Sequence, residues 1–311
     1  MKKILFIGGA GFIGSTLIRG ILTNLKDAQI FVMEPCFANV SRLNGMNVTI
    51  YRGELSDFDN VESIIRSQRI DTIVHLVSTL IPGSGYEDYK REIQNVAFPT
   101  MRLTQLCSEM NIKFIYFSSG GTVYGNRVDS IPFKENDERN PISYYGLTKL
   151  MLENNILFEH RTLGLRYLIV RPSNPYGHGQ ALNGKQGFIA VALGKILSGQ
   201  SIEIWGDGSS VRDYIYIDDL GEIFSQLIEN GIENTIVNIG SGVGYSVNQI
   251  IDVLKKNVDE PVNVEYKSAR SADVSTMILS TNRLRSYVNV KLTAIEDGVR
   301  MFYNDVKKRL K

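Results

Sequence analysis

Tyr145 and Lys149 stand four residues apart in a stretch with helical periodicity, from Tyr144 to about Thr162. That spacing puts both side chains on one helix face, one turn apart. A tyrosine hydroxyl titrates near 10, and a neighbouring ammonium favours its phenolate. Bringing the value to about 7 takes roughly 4 kcal/mol of differential stabilisation. Two close cations in a partly dry site can supply that much. The chemistry open to such a pair is removal of a proton from a hydroxyl, or its return. On its own the same spacing also suits an ordinary exposed helix face, so its meaning depends on the surroundings.

The surroundings begin with Gly8-Gly9-Ala10-Gly11-Phe12-Ile13-Gly14, directly after an apolar strand pattern and at the opening of a helical one. Gly8 lets the chain turn tightly off the strand, and Gly11 lets backbone approach a pyrophosphate. Gly14 lets the helix pack closely on the sheet. The helix N-terminus offers amide donors and a partial positive charge to phosphates. Glu34 closes the second predicted strand, where a carboxylate accepts both hydroxyls of an adenosine ribose. It would also repel a 2′-phosphate, and no arginine is adjacent to it in sequence, which favours NAD over NADP. The loop lacks the Gly-Lys-Ser/Thr ending of a P-loop nucleotidase. An oxidised nicotinamide would then be the second cation near Tyr145.

The elements that must hold these residues alternate. Strand patterns at Lys3–Ile7, Gln29–Met33, Val48–Arg52, Thr72–Leu76 and Phe114–Ser118 are separated by helical ones at Gly14–Leu25, Asn60–Arg69 and Asn95–Met110. Such alternation predicts an α/β, Rossmann-like, doubly wound parallel sheet with helices on both faces. A further strand is expected at Tyr167–Arg171. Beyond Pro172 short strands at Ile202–Ile204, Thr235–Ile239 and Val262–Tyr266 mix with helices at Gly187–Ser198, Asp218–Glu229 and Ser246–Asn257. The reading is an NAD-binding domain over 1–172 and a smaller, mainly substrate-binding lobe over 173–311, some of whose segments return to the first domain.

Bulk properties exclude several classes. The chain has 311 residues, 43% hydrophobic and 22% charged, with a formal charge of +1, so nothing global draws it to nucleic acid. Its three histidines and two cysteines show no metal-ligand spacing, and Cys36 and Cys107 suit a reducing cytoplasm. Met1-Lys2-Lys3 and the apolar run after it imitate a signal peptide, but glycines break the run and no stretch is long enough to span a bilayer. No metal, nucleic acid or membrane insertion is expected.

Taken in order, the glycine loop, Phe117-Ser118-Ser119-Gly120-Gly121-Thr122-Val123-Tyr124-Gly125 and Tyr145-x-x-x-Lys149 resemble the extended short-chain dehydrogenase/reductases. Within them the chain looks most like the UDP-sugar 4-epimerases. Arg171-Pro-Ser-Asn174-Pro-Tyr-Gly177, Val211-Arg212-Asp213-Tyr214 and Arg270-Ser-Ala-Asp273 continue the resemblance over nearly the whole length. By that resemblance the NAD site comprises Gly8, Gly11, Phe12, Ile13, Gly14, Glu34, Glu54, Leu55, Leu76, Val77, Ser78, Asn95, Ser118, Ser119, Tyr145, Lys149 and Pro172. Asn174, Arg212 and Arg270 would hold the diphosphate of a nucleotide-sugar, Trp205 would lie against its base, and Phe188 would line the pocket. Forked arginines suit phosphate and a flat aromatic suits a base. Surface ion pairs with Asp213 and Asp273, and a core role for Trp205, are the plainer alternatives. Helices 95–110 and 144–162 resemble those of the family's homodimer interface.

The resemblance implies a hydride loan: Tyr145 takes the 4-hydroxyl proton, C4 passes a hydride to NAD, and the 4-keto sugar turns before the hydride returns. Dehydratases of the family carry Asp-Glu, and decarboxylases a glutamate, where this chain has Gly121 and Thr122. Both reactions are therefore disfavoured. Epimerases place a serine or threonine where this chain has Gly120. Ser119, Thr122 or a water can fill the gap, and Thr122 is preferred as the third catalytic residue. Met277 matches a position that governs room for an N-acetyl group, although it can equally just pack. A net sugar-nucleotide reductase or dehydrogenase, and a non-catalytic NAD-binding regulator, are the competing functions.

Overall fold

The computed structural model describes residues 2–127, 131–268 and 275–310. Strand β1 (Lys2–Ile7) alternates its side chains between two cores: Ile4 and Phe6 enter one, Leu5 and Ile7 the other. A strand apolar on both faces belongs mid-sheet, and β1 lies between β2 (Ala28–Glu34) and β4 (Thr72–His75), parallel to both. With β3 (Val48–Arg52), β5 (Lys113–Phe117), β6 (Tyr167–Pro172) and β10 (Thr235–Ile239), they form a seven-stranded parallel sheet. Its order is β10-β6-β5-β4-β1-β2-β3. Helices α1 (Phe12–Asn24) and α7 (Ile217–Glu229) pack on one face. The other is covered by α2 (Phe58–Gln68), α4 (Phe98–Glu109) and α5 (Tyr144–Leu163).

The strand order reverses at β1, because β2 and β3 lie on one side of it and β4 on the other. Open sheets of this kind bind ligands in the crevice beyond the strand ends at that reversal. The glycine loop leaves β1 there, and Leu76 leaves β4 beside it.

The chain reaches α4 through α3 (Tyr86–Glu92) and a π-helical turn at Ile93–Ala97, where the sequence suggests one helix starting at Asn95. Strand 235–239, beyond Pro172, returns to extend the main sheet beside β6.

The remaining elements build a second layer around β9 (Val211–Tyr216), flanked by β7 (Asn174–Tyr176), β11 (Gly244–Ser246) and β13 (Thr276–Met277). Strand β8 (Ile202–Trp205) pairs with β12 (Val264–Lys267). Helices α6 (Phe188–Leu197), α8 (Val247–Asn257) and α10 (Ile295–Leu310) enclose a third core through Leu193, Ile196, Leu254 and Phe302. The short α9 (Asn282–Arg285) leans on β10.

Candidate active site

Ser143 sets the start of α5: its hydroxyl caps the helix by accepting from the Gly146 amide at 3.1 Å. Tyr145 therefore sits in the first turn and Lys149 one turn on, both facing the end of β5. Lys149 is 3% exposed. Its Nζ donates to the Phe117 carbonyl at 2.9 Å and lies 5.6 Å from the centroid of the Tyr145 ring. Burial pushes the ammonium down to about 8, against the opposing pull of Glu92 and Glu153.

Lys149 by itself does not offset the burial of the Tyr145 phenol. The ammonium is aimed at a backbone carbonyl, and desolvation pushes the Tyr145 hydroxyl up to about 12. A hydrogen bond with Ser119 pulls that value down, and the charge of Glu92 pushes it up. A further positive charge is needed to bring it toward neutrality.

Of the candidate hydroxyls, Ser119 is the one that lowers the proton affinity of Tyr145. Thr122 Oγ1 is buried without a hydrogen-bond partner and faces no group of the protein that uses it. The structure also explains Gly120. Its amide donates to Pro172 O at 2.8 Å, and a Cβ there would stand 2.5 Å from Leu279 Cδ1 and 3.0 Å from Pro172 O. Leu279 occupies the space a serine or threonine would need.

On the cofactor side, Gly8 adopts φ +82°, and a Cβ on it would lie 2.9 Å from Val77 Cγ2. The loop after β1 and the segment Leu76–Ser78 after β4 are therefore in contact. Gly11 caps α1 without a side chain, and a Cβ there would meet nothing closer than Gly8 O at 3.9 Å. An open cradle above free first-turn amides is what a pyrophosphate requires, so these residues fit a dinucleotide. Phe12, Ile13 and Gly14 form the first turn of that helix. Glu34, 6% exposed, accepts from the Ala10 amide at 2.6 Å; burial raises its carboxyl, while that bond and Arg52 oppose the rise.

An arginine that is not adjacent in sequence, Arg52, is brought beside Glu34 by the sheet. It lies in register with it on β3, its guanidinium donating to the Pro35 and Ala38 carbonyls at 3.0 Å each. Glu54 is exposed and Leu55 buried just past β3, Asn95 is exposed on the π turn, Ser118 is buried past β5, and Pro172 ends β6.

A cleft of about 230 Å3 opens between β7, β9 and the start of α6, lined among others by Asn174, Tyr176, Phe188, Ser210, Arg212 and Tyr214. Asn174 Nδ2 donates to Asp213 O at 2.8 Å. The ion pair considered for Arg212 and Asp213 does not form. The Asp213 carboxylate is fully buried and accepts from Ser241 N and Oγ, Gly242 N and Leu279 N. Trp205, 42% exposed, ends β8 outside this lining. Met277 is 1% exposed in a small core with Val123, Tyr124, Phe133 and Leu279, which favours its packing role. Arg270 and Asp273 lie outside the described residues. Glu92 and Leu279 shape the site without any local motif to announce them.

The NAD dependent epimerase/dehydratase family model matches residues 4–240. The chain is 30% identical over 301 residues to the dTDP-4-dehydro-6-deoxyglucose reductase of Escherichia coli, covering 95% of both chains. It is 29% identical over 309 residues to a putative UDP-glucose 4-epimerase of Methanocaldococcus jannaschii, covering 98% of each. The UDP-glucose 4-epimerase of Thermotoga maritima, solved with UDP-glucose, superposes with a TM-score of 0.92 at 29% identity, over 99% of this chain and 100% of that one. With its glycine cradle, Glu34 and the Tyr145–Lys149 pair so arranged, the chain belongs to the NAD dependent epimerase/dehydratase family.

Proposed function

We propose that this protein is an NAD-dependent 4-epimerase of a nucleotide-linked hexose or N-acetylhexosamine, with UDP as the nucleotide. The observation that carries this is the Tyr145–Lys149 pair at the end of β5, beside the dinucleotide cradle, with Gly121 and Thr122 where a dehydratase would need acids. Bound NAD supplies the acceptor and donor of hydride. Tyr145 takes the proton of the sugar 4-hydroxyl and later returns it; Ser119 lowers the proton affinity of the phenol, and Lys149 braces the end of β5. Asn174, Phe188 and Arg212 form the cleft for the nucleotide diphosphate, with Arg270 as the further expected cation. UDP-glucose, UDP-N-acetylglucosamine and their 4-epimers, incubated separately and resolved by product analysis, test the reading. Interconversion of at least one pair is expected, and none with NAD bound would refute it.

A net reductase of a 4-keto sugar nucleotide is the second reading. It is supported by Tyr145, which the protein alone keeps protonated and so ready to donate, and by the likeness to the E. coli reductase. Stoichiometric loss of nicotinamide absorbance with a 4-keto substrate would favour it. The homodimer is a proposal too, supported by Phe98 on α4 and by Leu147 and Phe158 on α5, all at least 42% exposed. A reducing cytoplasm suits the free thiols of Cys36 and Cys107.

A further inference from the structure

Glu92 ends α3 where the backbone widens into the π turn, and it is 1% exposed. A carboxylate so buried needs partners, and turns of this kind often mark functional sites. Its partners all come from the segment that follows β4. Oε1 accepts from Ser78 Oγ at 2.9 Å, and Oε2 accepts from Thr79 N at 2.9 Å and Thr79 Oγ1 at 2.6 Å. The same segment touches Gly8 through Val77. One carboxylate thereby ties α3 to the wall that faces the phosphate loop.

Its other side acts on the Tyr145–Lys149 pair. The groups around that pair are His75 from β4, Tyr116 from β5 with Ser119 beyond it, Glu153 from α5 itself, and Glu92 from α3. His75 is neutral, held down to about 3 by burial and by the charge of Lys149. Glu153 is committed to Arg171, with Nε at 2.9 Å and Nη2 at 2.6 Å. Glu92 is the carboxylate whose charge acts on both Tyr145 and Lys149.

We propose that Glu92 is a positioning residue of the reaction centre, clamping Ser78 and Thr79 against α3 and standing as the negative counter-charge to Lys149. The proposal rests on Tyr145 as the acid–base group. A negative charge here opposes the phenolate, so Glu92 restrains Tyr145 from ionising except when positive charge arrives with the bound cofactor. Removing the charge while keeping the shape lowers the proton affinity of Tyr145. Removing the side chain also frees the wall of the NAD site.

The test uses the full chain carrying 13C-labelled tyrosine and loaded with NAD, with the Tyr145 resonance assigned by its absence in Tyr145→Phe. Glu92→Gln should lower the titration midpoint of Tyr145 by about one unit, a tenfold change in proton affinity. Glu92→Asp should hold it near the parent value, as a variant that keeps the charge. Glu92→Ala should weaken NAD about tenfold in direct binding, as losses of supporting hydrogen-bond partners do. The rising limb of kcat with pH should move to lower pH in Glu92→Gln. A purely structural glutamate would lower the melting temperature and leave the midpoint in place. An unchanged midpoint in Glu92→Gln, or in Glu92→Asp and wild type alike relative to Glu92→Ala, overturns the proposal. A shifted midpoint in a protein that epimerises no sugar would instead refute the proposed reaction and leave the role of Glu92 standing.

Discussion

Ser119 and Gly120 divide a task between neighbours: one lowers the proton affinity of Tyr145, and the other lets the chain pass beneath Leu279. Motif reading locates Tyr145, Lys149 and the glycines because each is defined by short-range spacing. It does not reach Leu279, which arrives from the far end of the chain, and so it assigns the third hydroxyl to Thr122. A double-mutant cycle follows from the 2.5 Å approach. Gly120→Ser alone should cost about 1–3 kcal/mol by overpacking, and Leu279→Ala alone about 2–5 kcal/mol by leaving a cavity. Together they should cost less than their sum by at least about 0.5 kcal/mol in urea unfolding. Strict additivity would mean that Leu279 is not what excludes a side chain at 120.

The βαβ elements of the first half are legible because their patterns are long and periodic, with strands buried on both faces. Helix α3 is not, since Tyr86-Glu-Asp-Tyr-Lys-Arg-Glu92 has no apolar period and forms against the segment that Glu92 captures. Strands β7, β11 and β13 span three, three and two residues, and they are fixed by pairing around β9 rather than by pattern. Between β4 and α4, His75 Nε2 and Thr100 Oγ1 are 2.9 Å apart in a dry interface. His75 is held down to about 3 from its ordinary 6.5, so the unfolded chain binds the extra proton between those values. Its contribution to stability is complete above 6.5 and is lost as pH falls through that window. At pH 5 the loss is about 2 kcal/mol. Melting curves between pH 7.5 and 5 should show this decline, and His75→Gln should flatten it even if its melting temperature starts lower.

At the scale of the whole molecule, Leu147 and Phe158 lie three turns apart on one face of α5, with Phe98 exposed on the adjoining α4. Stripes of large apolar groups on paired helices mark association surfaces. Phe158→Glu should halve the mass found by light scattering while leaving NAD binding intact; an unchanged mass would move the interface elsewhere. Asp213 has a different reach. Its carboxylate joins β9 to the turn after the main-sheet strand β10 and to the chain that follows β13. Residues after Pro172 also furnish an edge strand and a covering helix of the cofactor-side sheet. The half after Pro172 is therefore not a cassette. Grafting it from a relative at the 172–173 boundary would import a strand, a helix and this knot of four hydrogen bonds along with any new specificity. Such a graft must also reproduce the packing of β10 on β6 and of α7 on α1, so any change of specificity made by the half carries the stability of the main sheet with it.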